Sequence, residues 1–158
     1  MNLRKLFTAL HDRQVDFVLI GGVAARAHGS ARVTQDVDIC YARNTGNLER
    51  LVLALKPLKP YLRGASPGLP FEWSVPTLRA GLNFTLTTTA GDIDLLGEVT
   101  GGGSYEDLES HTIRARIYDR ETLVLDLPWL IRVKRAAGGT RDLEAVAELM
   151  TILEEQEK

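Results

Sequence analysis

GGVAARAHGSARVTQDVDI, Gly21 to Ile39, is the stretch on which the reading of this chain turns. An apolar run, Phe17 to Ile20, enters a Gly-Gly turn, a short Ala-rich stretch of helical character follows, and Asp36 and Asp38 then arrive interleaved with Val37 and Ile39. Between a strand and a helix, Gly21 and Gly22 accept unusual backbone angles and let a bulky anion approach the main chain. They open a helix whose first amides have no internal partner and whose dipole is positive at that end, which suits phosphate. Residues two apart in a strand share a face, so Asp36 and Asp38 look one way while Val37 and Ile39 look into the core. Like charges held side by side repel, and a hard cation such as Mg²⁺ is the usual compensation. The segment reads as a phosphate cradle followed by a metal clamp.

A chain with ten Asp residues will hold an Asp-x-Asp pair at some solvated strand end by chance. A second pair changes the balance. Asp92 and Asp94, in GDIDLLGEV, repeat the pattern with Ile93 and Leu95 as the apolar partners. Two strands of this kind supply two metal ligands from the first and a third from the second, with Asp92 and Asp94 both eligible.

A strand ending in Gly-Gly, about a dozen residues, Asp-x-Asp, and a lone carboxylate on a later strand resembles the pattern of the DNA polymerase β-like nucleotidyltransferase superfamily. The chain is similar to its small stand-alone bacterial members, the minimal nucleotidyltransferases and the nucleotidyltransferase toxins of abortive-infection systems. The resemblance runs through RVTQDVDI, TTTAGDIDLLGEV and LPWLIRVKRAAGGTRDLEAVAEL, the first block being the specific one. It implies an α+β fold, a mixed β-sheet with helices packed on it and a C-terminal helical pair. It implies that Gly21 and Gly22 hold a nucleoside triphosphate, that Asp36 and Asp38 bind two Mg²⁺ ions, and that Asp94 is the third carboxylate, with Asp92 its rival. Lys134 is the cation the resemblance implies for the phosphates, and Arg32, just before the clamp, is the second candidate. The chain departs from the commoner Gly-Ser form in carrying Gly-Gly, which removes a hydroxyl contact to the phosphates. The activity implied is metal-dependent transfer of a nucleoside monophosphate from an NTP to a hydroxyl, releasing pyrophosphate. The acceptor stays open among a tRNA end, a protein hydroxyl and a small molecule such as an aminoglycoside.

At 158 residues, 44% hydrophobic and 25% charged, the chain has the composition of one soluble domain, expected to span residues 1–158. A net charge of −2 provides no global attraction to nucleic acid. Cys40 is the only cysteine, so no internal disulfide framework is expected. Neither a signal peptide nor a long apolar span stands out, so cytoplasmic placement without membrane association is expected.

Leu3, Leu6, Phe7 and Leu10 repeat at helical spacing, as do Leu48, Leu51, Val52 and Leu55 before Pro57. The span 56–76, with five prolines, is expected to be irregular and exposed, with Phe71 and Trp73 pinning it to the core or Trp73 offering a stacking surface. Strands are expected over 83–88 and 92–99, joined at Ala90-Gly91. Gly101–Gly103 reads as a flexible linker, and Ile113, Ala115 and Ile117 as a strand with Arg114 and Arg116 outward. Asp126 and Pro128 mark a helix start and Gly138-Gly139 its stop. Thr140 is the expected cap of a last helix buried through Leu143, Val146, Ala147, Met150 and Leu153.

Other chemistries fit poorly. His11, His28, His111 and Cys40 lack zinc-ligand spacing, and no Gly-x-Ser-x-Gly elbow is present. A dinucleotide fold would require Gly-x-Gly-x-x-Gly and leave the second acidic pair unexplained. The remaining alternative is a non-catalytic nucleotide- or partner-binding protein of the same fold, such as a toxin–antitoxin component.

Overall fold

Phe17–Ile20 forms β1, inside a seven-stranded mixed sheet, and all four of its residues are buried, as expected of a strand covered on both faces. In the computed structural model, which describes residues 1–158, α1 (Leu3–Asp12) precedes β1, and α2 (Gly21–Ala27), β2 (Asp36–Tyr41) and α3 (Thr45–Leu55) follow. Then come β3 (Tyr61–Leu62), α4 (Val75–Ala80), β4 (Asn83–Thr88) and β5 (Gly91–Leu96). The chain continues through β6 (Glu98–Val99), β7 (Gly103–Ser104), α5 (Tyr105–Glu109), β8 (Thr112–Ile117), β9 (Arg120–Leu125), α6 (Leu127–Ala137) and α7 (Thr140–Gln156). The strand order is β3-β4-β5-β2-β1-β9-β8, with β6 and β7 forming a separate two-stranded ribbon. The class is α+β, and α6 and α7 pack as a C-terminal pair, with α6 also against α2. No helix is long and apolar enough to cross a membrane.

The register gathers the acids at one end of the sheet. β2 runs antiparallel to β1, opposing Ile20 to Asp38, so the start of β2 lies beside the glycines that end β1. β5 runs parallel to β2, opposing Asp36 to Asp92 and Asp38 to Asp94. Parallel neighbours need a long crossover, and residues 42–90 supply it.

Polar contacts lock the opposite end of β1 and β2. Asn47 is fully buried; its Oδ1 accepts from the Asp16 N–H at 2.7 Å, and its Nδ2 donates to Asp16 O at 3.0 Å and Ala42 O at 2.7 Å. One amide thus joins α3 to the entry of β1 and the exit of β2. Asn47→Ala leaves the Asp16 N–H and Ala42 O without these partners, while Asp16 O keeps the Ala42 N–H at 3.1 Å, and is expected to cost about 2–3 kcal/mol, judged at about 1–3 kcal/mol for each unsatisfied group with water relieving the one nearer the surface. Chemical denaturation at constant m-value measures it.

Several expectations are corrected. Residues 56–76 are not irregular throughout: a 3-10 turn at Lys56–Leu58 leads into β3, which pairs with β4 at the sheet edge, and α4 begins at Val75. Pro57 and Pro76 sit in first turns, where their missing N–H has no ladder partner to lose. Of the two readings of Trp73, pinning to the core is the one observed: its indole N–H donates to Val52 O at 3.0 Å and it packs with Phe71 against the core. The strand expected over 92–99 breaks at Gly97, whose N–H is drawn to Leu82 O and Asn83 Oδ1.

Gly101–Gly103 is no linker. Gly101 has φ +80° and lies so close to α6 that an added Cβ would stand 2.5 Å from that of Ala136, while Gly103 pairs in β7. Gly139, not Thr140, occupies the cap position of α7, without a side-chain hydrogen bond. The buried stripe of α7 is Ala145, Val146 and Leu149, while Leu143 and Met150 are 54% and 40% exposed and Ala147 is exposed. The observed stripe is rotated relative to the expected one because α7 packs on α6 and toward the segment before β2, where Glu148 accepts from Ser30 Oγ at 2.5 Å. β9 went unmarked in sequence because its apolar run is short and merges into the helix cap at Asp126.

Candidate active site

Gly21 has φ +71°, and a Cβ placed on it would stand 1.9 Å from Asp38 Oδ2. A Cβ on Gly22 would stand 2.6 Å from Thr34 Oγ1. The glycine pair therefore lets one carboxylate and one hydroxyl press directly on the backbone where β1 becomes α2. Thr34 in turn donates to Asp36 O at 3.1 Å, tying the start of β2 to this turn. β2 alternates as its sequence dictates, with Val37 and Ile39 fully buried and Asp36 and Asp38 partly open on the other face.

One carboxylate oxygen from each of Asp36, Asp38 and Asp94 lies within 4.8 Å of the others. Asp92 stands outside this group, its Oδ2 being 3.2 Å from Arg63 Nε. The four acids form two opposed rows on adjacent strands, and like charges directly opposed are destabilising unless something neutralises them. Burial, and then repulsion from Asp36 and Asp94, push the Asp38 carboxyl up to about 8, with Lys134 opposing. Burial and Asp94 also raise Asp36, against the pull of Arg63 and the Thr34 hydrogen bond. The cluster is short of positive charge.

These residues fit a divalent cation. Hard carboxylate oxygens converge, and Asp94 Oδ1 is buried with no hydrogen-bond donor, although Arg63 Nη2 stands 2.8 Å away. The two are close enough for an ion pair but not aligned for a hydrogen bond. A metal ion bound here would supply the bond this oxygen lacks.

Two clefts meet at the acids. The larger, about 780 Å³, lies between the β2 and β5 acids and α7, and Gly22, Arg32, Lys134 and Arg141 border it. The smaller, about 280 Å³, is lined mainly by apolar groups such as Leu96, Val99 and Leu130, and also by Gly21. Asp38, Asp94 and Lys134 border both.

Lys134 Nζ is 3.5 Å from Asp142 Oδ1, and Arg32 Nη2 is 3.9 Å from Glu144 Oε2, so each cation reaches the larger cleft already facing an acid of α7. Arg32 is the more exposed of the two. His28 is structural: its Nε2 donates to Leu125 O at 2.9 Å, holding the end of α2 to β9.

Arg63 was not singled out in sequence. It lies in the proline-rich crossover, 31 positions before Asp94 by numbering, and no local period links it to the acids. Only the pairing of β3 with β4 brings it to them.

No protein-family model matches the chain, and no curated protein does. Among solved structures, the chain resembles the solution structure of the antibiotic-resistance factor ANT(2'')-Ia, an aminoglycoside nucleotidyltransferase. The two share 14% identity over 96% of this chain and 82% of that one, with a TM-score of 0.57. At that identity the likeness establishes a nucleotidyltransferase-like fold.

Proposed function

We propose that this protein is a metal-dependent nucleotidyltransferase that moves a nucleoside monophosphate from an NTP to a hydroxyl acceptor and releases pyrophosphate. The observation that carries the proposal is the convergence of Asp36, Asp38 and Asp94 from two parallel strands, with one buried carboxylate oxygen lacking a hydrogen bond, at the junction of two clefts. The fold shared with ANT(2'')-Ia supports it.

In this reading Asp36, Asp38 and Asp94 hold two Mg²⁺ ions. When bound, such ions neutralise the triphosphate and stabilise the attacking and leaving oxygens of an in-line displacement. Gly21 and Gly22 hold the phosphates against the backbone, and Asp94 orients the acceptor hydroxyl and receives its proton. Lys134 and Arg32 complete the charge on the phosphates. Phosphoryl transfer depends mainly on positioning and charge stabilisation, and these residues provide both. The acceptor is a hydroxyl of a tRNA, a protein or a small molecule; the activity of ANT(2'')-Ia makes an amino sugar the first to try.

Binding of labelled NTP with and without Mg²⁺, followed by pyrophosphate release on addition of acceptors, tests the proposal. Metal-dependent binding and turnover are expected. Metal-independent binding without turnover would favour a non-catalytic binding protein of the same fold.

Lys134→Ala is expected to weaken NTP binding about tenfold, on the scale of ~1.5–3 kcal/mol for a charge-assisted hydrogen bond, with part of the loss offset by freeing Asp142. The effect shrinks as salt screens the charges. Equal affinity at low salt would return Lys134 to a purely structural pairing with Asp142 and transfer the role to Arg32.

A further inference from the structure

Arg63 follows β3 at the sheet edge, where its backbone N–H donates to Thr85 O at 3.0 Å and its Nη2 donates to Leu86 O at 2.7 Å. From that tether the guanidinium spans three acids: Nη2 is 2.8 Å from Asp94 Oδ1, Nε is 3.2 Å from Asp92 Oδ2, and Nη1 is 3.9 Å from Asp36 Oδ2. It is thus beside two of the three carboxylates assigned to the metals. Yet Nε is buried without a hydrogen-bond acceptor, and Asp94 Oδ1 is buried without a donor. An arginine built as a permanent structural partner uses its planar fork to form paired, well-aligned bonds with a carboxylate. This one is held by charge without that fit.

A guanidinium and divalent ions compete for the negative charge of the same carboxylates, because their mutual repulsion inside a partly closed cleft is strong. Asp36, Asp92 and Asp94, which Arg63 faces, border the larger cleft; bound ions would turn the tethered guanidinium away from them beside the place where a triphosphate would lie, an anion for which its fork is well matched. Resting on the metal-dependent transferase reading, we propose that Arg63 is an internal counter-ion of these acids that competes with metal ions for Asp94 and Asp36 and, when they bind, is recruited to the phosphates of the nucleotide. The two halves of this role have opposite signs: Arg63 opposes metal binding and favours nucleotide binding.

Mn²⁺ titration without nucleotide, read from the electron paramagnetic resonance signal of the free ion, tests the first half. Arg63→Gln is expected to bind Mn²⁺ about tenfold more tightly than wild type, as removal of a competing cation requires. At saturating Mn²⁺, the same variant is expected to bind a non-hydrolysable ATP analogue about tenfold more weakly. Arg63→Lys, which keeps the charge without the fork, is expected to bind Mn²⁺ within a few-fold of wild type and still bind the analogue more weakly. Circular dichroism establishes that both variants are folded, and if Arg63→Gln is not, the lysine variant carries the test through its weakened analogue binding.

Unchanged or weaker Mn²⁺ affinity in folded Arg63→Gln overturns the displacement, and unchanged analogue affinity in both variants overturns the recruitment. Asp38→Asn serves as the control that separates the two levels of the reading. If it binds Mn²⁺ as wild type does, the metal site itself is refuted; if it does not, while Arg63→Gln behaves as wild type, only the role of Arg63 falls.

Discussion

Asp38→Asn is expected to abolish nucleotide transfer and, in metal-free solution at pH 8, to raise the melting temperature above that of the wild type. Both effects come from the same carboxylate. Asp38 is pressed between the Gly21 backbone and the acids of β2 and β5, and burial with repulsion from Asp36 and Asp94 raises its pKa to about 8. A carboxyl whose folded pKa is raised holds a proton that the unfolded chain releases near pH 4, so the folded state binds more protons between those values. Metal-free stability therefore falls as pH rises from about 4 to about 8 and levels off above. Asparagine removes that slope, with a gain of roughly 2–4 °C for each kcal/mol of repulsion relieved.

Mg²⁺ is expected to raise the melting temperature of the wild type at pH 8 and to leave the variant almost unchanged, because ligand binding stabilises only a state that binds it. The rate of pyrophosphate release is expected to fall by about 10²–10³-fold or more, the scale for removing one preorganised charge-stabilising group. Thermal scans from pH 5 to 9, with EDTA and with Mg²⁺, measure the first effect, and initial rates the second. A wild-type rate in the variant would sink the clamp, and a large loss of metal-free stability would make Asp38 a structural residue.

Gly21→Ala is expected to disable the site through a single methyl group. At φ +71° a side chain costs about 1–2 kcal/mol in the left-handed region. The added Cβ also falls 1.9 Å from Asp38 Oδ2, so the carboxylate must turn away from Asp36 and Asp94. Metal affinity is expected to drop at least about tenfold, the equivalent of ~1.4 kcal/mol. Gly22→Ala is the control: its Cβ meets Thr34 Oγ1 at 2.6 Å rather than a carboxylate, and its φ is not in the left-handed region. It is expected to spare metal binding more than Gly21→Ala does. Calorimetric Mg²⁺ or Mn²⁺ titration of both variants measures the contrast, and equal affinities would show that the Asp38 carboxylate has room to move without loss.

The elements that the sequence announces are those governed by near neighbours. Alternation places Val37 and Ile39 in the core opposite Asp36 and Asp38, a side-chain oxygen of Asp126 accepts from Trp129 N–H to start α6, and Gly138 at φ +75° stops it. Each depends on residues within a few positions, whereas the α+β class was implied by the family resemblance. The resemblance carried by RVTQDVDI extended this to the fold.

Long-range pairing decided the rest. Asp92 and Asp94 share a strand face and a motif, so spacing alone leaves them equivalent and only the resemblance favours Asp94; the register of β5 against β2 sets Asp94 opposite Asp38, and its carboxylate converges with those of Asp36 and Asp38 while that of Asp92 stays outside. The rotation of α7, which exposes Leu143 and Met150, was set by the partners it packs against. Arg63 looked like one more cation in a proline-rich crossover until β3 paired with β4 and put it among the acids. Local periodicity determines which way a side chain faces. Which charges it meets is set by strands and helices distant in sequence, whose contacts form only when the whole sheet closes.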